Sequence, residues 1–201
     1  MGTVKSLLLG MCFVLGACTS QTSTVQTTEK GTRWEWQNGT IVVKTPERPA
    51  GQKSVLGLTT PKLEAVRVGF VGLGMRGPGA VERFTYIPGT QVVALCDYEE
   101  ARADKCQELL KKASMPKAAV YSGDKGYEEL CKRDDIDLVY IAADWLHHFP
   151  VAKCALENGK NVAIEVPSAM NLQECWDLIN LSESTRKHCF ILENCCYDWF
   201  E

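Results

Sequence analysis

The sequence predicts an α/β fold, a doubly wound parallel sheet, from three observations. Six short apolar runs alternate with segments of helical character between residues 66 and 192. The first run leads directly into Gly72-Leu73-Gly74-Met75-Arg76-Gly77, a G-x-G-x-x-G pattern. The second run ends on an acidic residue, Asp97. Strands that alternate with helices pair in parallel through right-handed crossovers, and the helices then cover both faces of the sheet.

The first strand is the mainly apolar run at 66–71. After the glycine turn, residues 78–86 form a helix that opens on Pro78, whose fixed φ suits a first turn. The second strand spans 91–96, and the helix at 99–113 sets Ala101, Ala103, Leu109 and Leu110 among charged residues. Val120-Tyr121 is a short third strand, followed by a short helix at 127–132. The run Ile136-Asp137-Leu138-Val139-Tyr140-Ile141-Ala142 is almost continuously apolar, which predicts a fourth strand covered on both faces. A helix at 149–157 is stopped by Asn158-Gly159, a C-terminal cap. A strand at 162–166, a helix at 172–184 and a strand at 190–192 complete a Rossmann-like domain over 66–201.

The residues before it read differently. A nine-residue apolar run at 7–15 follows a single lysine and ends at Gly16-Ala17-Cys18. That is the plan of a signal peptide over 1–17, too short to span a bilayer. Leu15-Gly16-Ala17-Cys18 resembles the bacterial lipobox, with Cys18 the lipidated mature N-terminus; a plain signal peptide is the alternative. Lipidation implies the bacterial cell envelope, with membrane attachment only through that lipid. Nine of the ten residues at 19–28 are Ser, Thr or Gln, a composition that cannot offset its ordering entropy by burial and so reads as a flexible tether. Within 18–65, Asn38-Gly39 predicts a small hairpin between two short strands. Trp34 and Trp36 suit packing better than stacking on a sugar. Pro46, Pro49 and Gly51 then mark an extended connector.

Composition excludes several classes. Of 201 residues, 45% are hydrophobic and 23% charged, which is globular. A formal charge of -3 without a run of five like charges argues against a nucleic-acid partner. Ten cysteines occur without a C-x-x-C pair, which excludes zinc ribbons and thioredoxin-type motifs. Those within the predicted sheet and helices behave as small hydrophobes. An oxidising compartment permits disulfides, and the sequence fixes no pairing.

The glycine turn carries the first functional expectation. Gly72 permits a tight turn, Gly74 lets backbone approach a pyrophosphate, and Gly77 lets the helix pack on the strand, with the helix N-terminus facing the phosphates. Asp97, 20 residues beyond Gly77, is placed to accept hydrogen bonds from an adenosine ribose and to repel a 2′-phosphate, so the cofactor expected is NAD. Ligands of doubly wound sheets sit at the carboxyl ends of strands, which brings Asp144-Trp145-Leu146-His147-His148, Glu165-Val166-Pro167 and Glu193-Asn194-Cys195-Cys196-Tyr197 to the same edge. Two adjacent histidines of one extended segment cannot both point inward, and no partner has spacing suited to a metal, so no metal site is expected. Cys195 and Cys196 have no nearby histidine base and are read as packing residues.

These motifs together resemble the Gfo/Idh/MocA superfamily, and within it the branch classed as glycoside hydrolase family 109, over about residues 46–201. The resemblance implies that Met75 and Arg76 contact NAD in the glycine turn and that Asp97 holds the ribose. It further implies that Trp145, Leu146, His147 and His148 line the nicotinamide side, and that Glu165, Val166 and Asn194 complete the cofactor site. Oxidoreductases of the superfamily carry a proton-relaying lysine where this chain has Val166, a departure that matches the hydrolase branch. The chemistry implied is redox-assisted glycoside cleavage: NAD takes a hydride from sugar C3, the adjacent C2 proton leaves, the aglycone is eliminated, water adds and the hydride returns. This needs no pair of carboxylates at the glycosidic bond. The substrate implied is a glycan ending in α-linked N-acetylgalactosamine, and a homo-oligomer is compatible with the family. Family members continue into a substrate-binding sheet domain, so the chain is expected to be the cofactor-binding portion, inactive by itself, with its catalytic residues elsewhere. Two alternatives stand: a sugar or cyclitol oxidoreductase, and a lipid-anchored module that binds without catalysis.

Overall fold

The computed structural model describes residues 26–27, 33–43 and 45–195. The leader at 1–17, Cys18, most of the Ser/Thr/Gln stretch, Cys196 and Tyr197 lie outside the described residues. The chain divides into two compact units, Met1–Lys44 and Thr45–Glu201.

In the first unit, β1 (Gln26–Thr27), β2 (Arg33–Gln37) and β3 (Thr40–Val43) form an antiparallel sheet in that order. Asn38 (φ 51°) and Gly39 (φ 79°) make the two-residue turn expected between β2 and β3. Gln26 and Thr27 were expected in a flexible tether, and they instead pair with Trp34 and Arg33. Backbone pairing on a hairpin edge is indifferent to side-chain polarity, so composition does not reveal it.

The second unit holds β4 (Val66–Val71), α1 (Gly77–Phe84), β5 (Thr90–Asp97), α2 (Glu100–Lys112), β6 (Ala119–Ser122), α3 (Gly126–Cys131), β7 (Leu138–Ile141), α4 (Trp145–Glu157), β8 (Asn161–Ile164), α5 (Leu172–Thr185) and β9 (Cys189–Ile191). All six strands pair in parallel, in the order β6-β5-β4-β7-β8-β9. The chain runs outward one way from β4 and then returns to run the other way from β7, so the topological switch lies between β4 and β7. This is the expected doubly wound, Rossmann-like fold.

Period-two alternation sorts the core onto the two faces. Val68, Phe70, Leu95, Tyr140 and Ala163 pack with Ala80 and Val81 of α1 and Ala103, Cys106 and Leu110 of α2. Val71, Ala94, Cys96, Val139, Ile141, Val162 and Ile164 pack with Leu130 of α3, Val151, Ala152 and Ala155 of α4 and Leu178 of α5. Phe70 stacks on Tyr140 with ring centroids 5.0 Å apart, and Phe84 meets Phe70 edge-on at 5.2 Å.

Two departures from the sequence reading bear on function. α4 begins at Trp145, not at 149, because Asp144 caps it: its Oδ1 accepts the Leu146 N–H at 3.0 Å. Pro150 then lies inside the helix rather than at its start, at the loss of one main-chain bond near the N-terminus. The connector, expected to stand outside the domain, belongs to the second unit. Arg48 donates from Nε and Nη2 to the Glu183 carboxylate of α5 at 2.8 and 3.0 Å, and Gln52 reaches Glu183 at 2.9 Å. Arg186 donates to the carbonyls of Lys53 and Ser54, and the His188 ring meets the Thr60 hydroxyl at 3.0 Å. Glu183 is buried, and a buried carboxylate persists only where such partners compensate it.

At the amino ends of the two central strands, Asp137 clamps the start of β4. Its carboxylate accepts from the Arg67 main-chain N–H at 2.9 Å and from the Arg67 guanidinium at 2.7 and 2.8 Å. The Arg67 hydrogen bond outweighs the opposing effect of burial and holds the Asp137 carboxyl below the usual range. A depressed carboxyl stabilises the fold above its unfolded value, near 3.9, and that contribution is lost as pH falls through the folded value. Asp137→Asn is therefore expected to cost about 1–2 kcal/mol at pH 7 and to flatten the acid limb of a urea-denaturation series between pH 7 and 3. An unchanged acid limb would refute the clamp.

Candidate cofactor site

A cleft of about 480 Å³ opens at the carboxyl ends of the strands, over the switch between β4 and β7, where doubly wound sheets bind ligands. Its floor is the glycine turn. The Gly72 N–H donates to the Cys96 carbonyl at 2.9 Å, pinning the turn to β5. Gly72 holds φ +90°, and a Cβ there would lie 2.2 Å from the Ala143 nitrogen, so the turn sits directly against the β7–α4 loop. A Cβ on Gly77 would lie 2.1 Å from the Gly72 carbonyl oxygen, which is why α1 can begin so close under the turn. A Cβ on Gly74 would meet only the Arg102 guanidinium, at 3.4 Å, leaving backbone open to the cleft.

No side chain caps α1 and no acidic residue occupies its first turn. Its leading N–H groups are thus presented to an anion, as a pyrophosphate requires. Asp97 is 5% exposed. Its Oδ2 accepts the Leu73 N–H at 2.6 Å and its Oδ1 accepts the Glu99 N–H at 3.0 Å. A carboxylate has about four acceptor positions, so two remain for ribose hydroxyls. Arg102 lies 3.5 Å from Asp97 and donates to Glu99 at 2.8 Å. Asp97 and Glu99 thus share this one guanidinium. Cys96 borders the cleft, but burial, and then the Asp97 charge, push its thiol up to about 12, so it forms a neutral wall. The chain thus meets the requirements of a dinucleotide at the floor, the helix end and the ribose.

The other wall is the first turn of α4. Trp145, 59% exposed, borders the cleft with His147 and His148. His147 Nδ1 lies 2.6 Å from Asp144 Oδ2, and Nε2 lies 3.6 Å from Asp124 Oδ1 in the β6–α3 loop. Burial opposes the charge on Asp144, yet the His147 and main-chain hydrogen bonds hold its carboxyl below the usual range. His148 is 1% exposed, with Nδ1 2.7 Å from the Pro167 carbonyl and Nε2 2.9 Å from the Ala143 carbonyl. The two histidines were read on an extended segment; they stand instead on one helical turn, where successive side chains diverge. Neither nitrogen of His148 is turned to the cleft, and the ring ties α4 to the loop after β8. Glu165 and Val166 complete this wall, and the Tyr140 hydroxyl donates to Glu165 at 3.0 Å.

Of the residues singled out in the sequence, Gly72, Gly74, Met75, Arg76, Asp97, Trp145, His147, His148, Glu165 and Val166 border this cleft. Gly77 underlies it. Leu146, 74% exposed, and Asn194 do not border it. Tyr98, Arg102, Gly123, Asp124 and Tyr127 also line it and were not anticipated. Gly123 and Asp124 follow the carboxyl end of β6, so the strand-end rule applied to that short strand would have found them. Among the described residues, no group of three or more His, Cys, Asp or Glu could hold a metal ion. No helix among them is long and apolar enough to cross a membrane.

Fold and cleft together define a protein of the NAD-binding Rossmann class. Residues 66–192 match the oxidoreductase family with an NAD-binding Rossmann fold, and the chain belongs to this Gfo/Idh/MocA family. It is 80% identical over 202 residues to glycosyl hydrolase family 109 protein 4 of Phocaeicola vulgatus, covering 100% of this chain and 39% of that protein. It is 58% identical over 199 residues to glycosyl hydrolase family 109 protein 1 of Bacteroides thetaiotaomicron, covering 98% of this chain and 41% of that protein. The chain thus spans about 40% of the length of these curated relatives. Among solved structures, myo-inositol dehydrogenase from Lactobacillus casei, in complex with NAD(H) and myo-inositol, superposes with a TM-score of 0.59 at 24% identity. That match covers 67% of this chain and 38% of the other, and shows the shared fold.

Proposed function

We propose that this chain is the NAD-holding portion of a glycosidase that cleaves terminal α-linked N-acetylgalactosamine by elimination and hydration. The observation that carries the reading is Val166, which is 39% exposed and forms part of the cleft wall beside Glu165. The oxidoreductase pattern puts an ionisable lysine here, and an apolar residue in its place is the departure that the hydrolase branch shares. The names of the relatives support the same reading. NAD, when bound, supplies a reversible hydride acceptor, and the hard chemistry belongs to it. The chain's own residues position it: the glycine turn and the α1 N-terminus hold the phosphates, Asp97 the ribose, and Trp145 with the Tyr140–Glu165 pair shape the nicotinamide end.

The test replaces the matching portion of the 80%-identical Phocaeicola vulgatus relative with this chain. The chimera is then assayed on an aryl α-N-acetylgalactosaminide in deuterated water. Cleavage with deuterium at sugar C2 and no accumulation of NADH is expected. Net NADH formation would replace this reading by an oxidoreductase, and retained NAD without turnover by a binding module.

The same proposal places the chain on the bacterial envelope through a lipid on Cys18. Fatty-acid labelling is expected in the wild type and absent in Cys18→Ser. Equal labelling of both would refute the anchor.

A further inference from the structure

One carboxylate of the cleft is held in place without being neutralised. Glu165 follows β8 and borders the cleft, and its main-chain N–H donates to the Ile141 carbonyl at 2.9 Å. Its Oε1 accepts the Tyr140 hydroxyl at 3.0 Å, while among the described residues Oε2 has no hydrogen-bond partner and the carboxylate no ion pair. Asp144, the carboxylate that caps α4, is by contrast already engaged by the Leu146 N–H at 3.0 Å and by His147 at 2.6 Å.

Packing fixes the donor. Tyr140 lies on β7, its ring stacked on Phe70 at 5.0 Å and met edge-on by Phe84 at 5.8 Å. Burial, and then the Glu165 charge, push its hydroxyl up to about 12, so it donates without losing its proton at neutral pH. A glutamate without such a partner samples many rotamers. A lysine or arginine would order it and cancel its charge, whereas a neutral phenol orders it and leaves the charge intact.

We propose that Tyr140 is a positioning residue: it fixes the Glu165 carboxylate at the nicotinamide end of the cleft, where that charge makes the site prefer the oxidised, cationic ring to the reduced, neutral one. The strand order supports the placement. Asp97 ends β5 and Glu165 follows β8, three strand spacings away or roughly 14 Å, with the glycine turn after β4 between them. With the adenosine ribose at Asp97 and the phosphates at the turn, the second nucleoside falls on the Glu165 side. The oxidised ring carries a positive charge that NADH lacks, so a fixed carboxylate separates the two forms, and more strongly in a cleft than in bulk water. The inference rests on the NAD site and holds whichever reaction the cofactor serves.

The experiment titrates the purified 201-residue chain, Glu165→Gln and Tyr140→Phe with ADP-ribose, oxidised NAD and NADH, and records thermal melts in parallel. Glu165→Gln is expected to lower the preference for oxidised NAD over NADH by roughly tenfold or more, the scale of one unit charge in a partly desolvated site. Tyr140→Phe keeps the aromatic stack and is expected to move the same ratio in the same direction by a smaller factor. ADP-ribose, which lacks the nicotinamide, is expected to bind all three proteins equally. A purely structural part for either residue would weaken all three ligands together and leave the ratio where it was. An unchanged ratio in Glu165→Gln, with ADP-ribose still bound, would overturn the proposal. A shift in Glu165→Gln without one in Tyr140→Phe would overturn the positioning role of Tyr140. Failure of the wild type to bind ADP-ribose would overturn the cofactor site itself, and the proposal with it.

Discussion

Gly72→Ala is expected to cost the domain about 2–5 kcal/mol, the sum of a positive-φ penalty and overpacking against backbone. The new Cβ would sit 2.2 Å from the Ala143 nitrogen and 2.4 Å from the Ala142 carbonyl carbon. Neither atom belongs to a side chain that can rotate away, so β4 and the β7–α4 loop must separate at the switch point. Small domains are stable by only about 5–15 kcal/mol, so much of the population should unfold at modest urea concentration and NAD binding should disappear with the fold. Gly74→Ala separates the two effects. Its Cβ meets only the movable end of Arg102 at 3.4 Å, so the melting temperature should hold within a few degrees while NAD affinity falls sharply. Parallel melts and NAD titrations read both. A Gly72→Ala protein as stable as the wild type would show that this turn is not packed as described.

Asp97→Ala is expected to weaken NAD by about 1–3 kcal/mol, roughly 5- to 150-fold in the dissociation constant. Two losses combine: the acceptors offered to the ribose, and the Leu73 N–H bond that holds the glycine turn against β5. The substitution also frees Arg102 from one of its two carboxylates, so the penalty against NADP should shrink more than NAD binding weakens. Isothermal titration with each nucleotide measures both. Unaltered NAD binding by Asp97→Ala would remove the ribose assignment.

Much of this site was legible because its elements are fixed by local rules. The run at 66–71, the three glycines and Asp97 are each demanded by backbone geometry or by a strand end, and those constraints are written in adjacent residues. The α4 wall was harder to read. Pro150 looks like the start of a helix, but Asp144, five residues before the expected start at 149, caps it, so Trp145, His147 and His148 stand on a helical turn and not on an extended loop. The two ring nitrogens of His148 find partners at Ala143 and Pro167, and the second of these is brought near only by the pairing of β7 with β8. Tyr140 was legible as a strand residue but not as the partner of Glu165, since one lies on β7 and the other just past β8, 25 residues apart. The docking of the connector carried no signal: Arg48 and Gln52 are ordinary polar residues until α5 supplies Glu183.

That strap has a consequence for the order in which the chain can be completed. Arg48 and Glu183 are 135 residues apart, so during synthesis the arginine emerges long before its carboxylate exists. At about 5–20 residues per second, the interval is roughly 7–27 s. Through that time β4, β5, β6 and β7 can assemble, because each pairs with a strand already made. Residues 48–60 cannot dock, and they stay open to nascent-chain proteases and chaperones until α5 and His188 arrive. The connector is the earliest part of the second unit to leave the ribosome and among the last to find its place, so it acts as the clasp that closes only when α5 and His188 have been delivered.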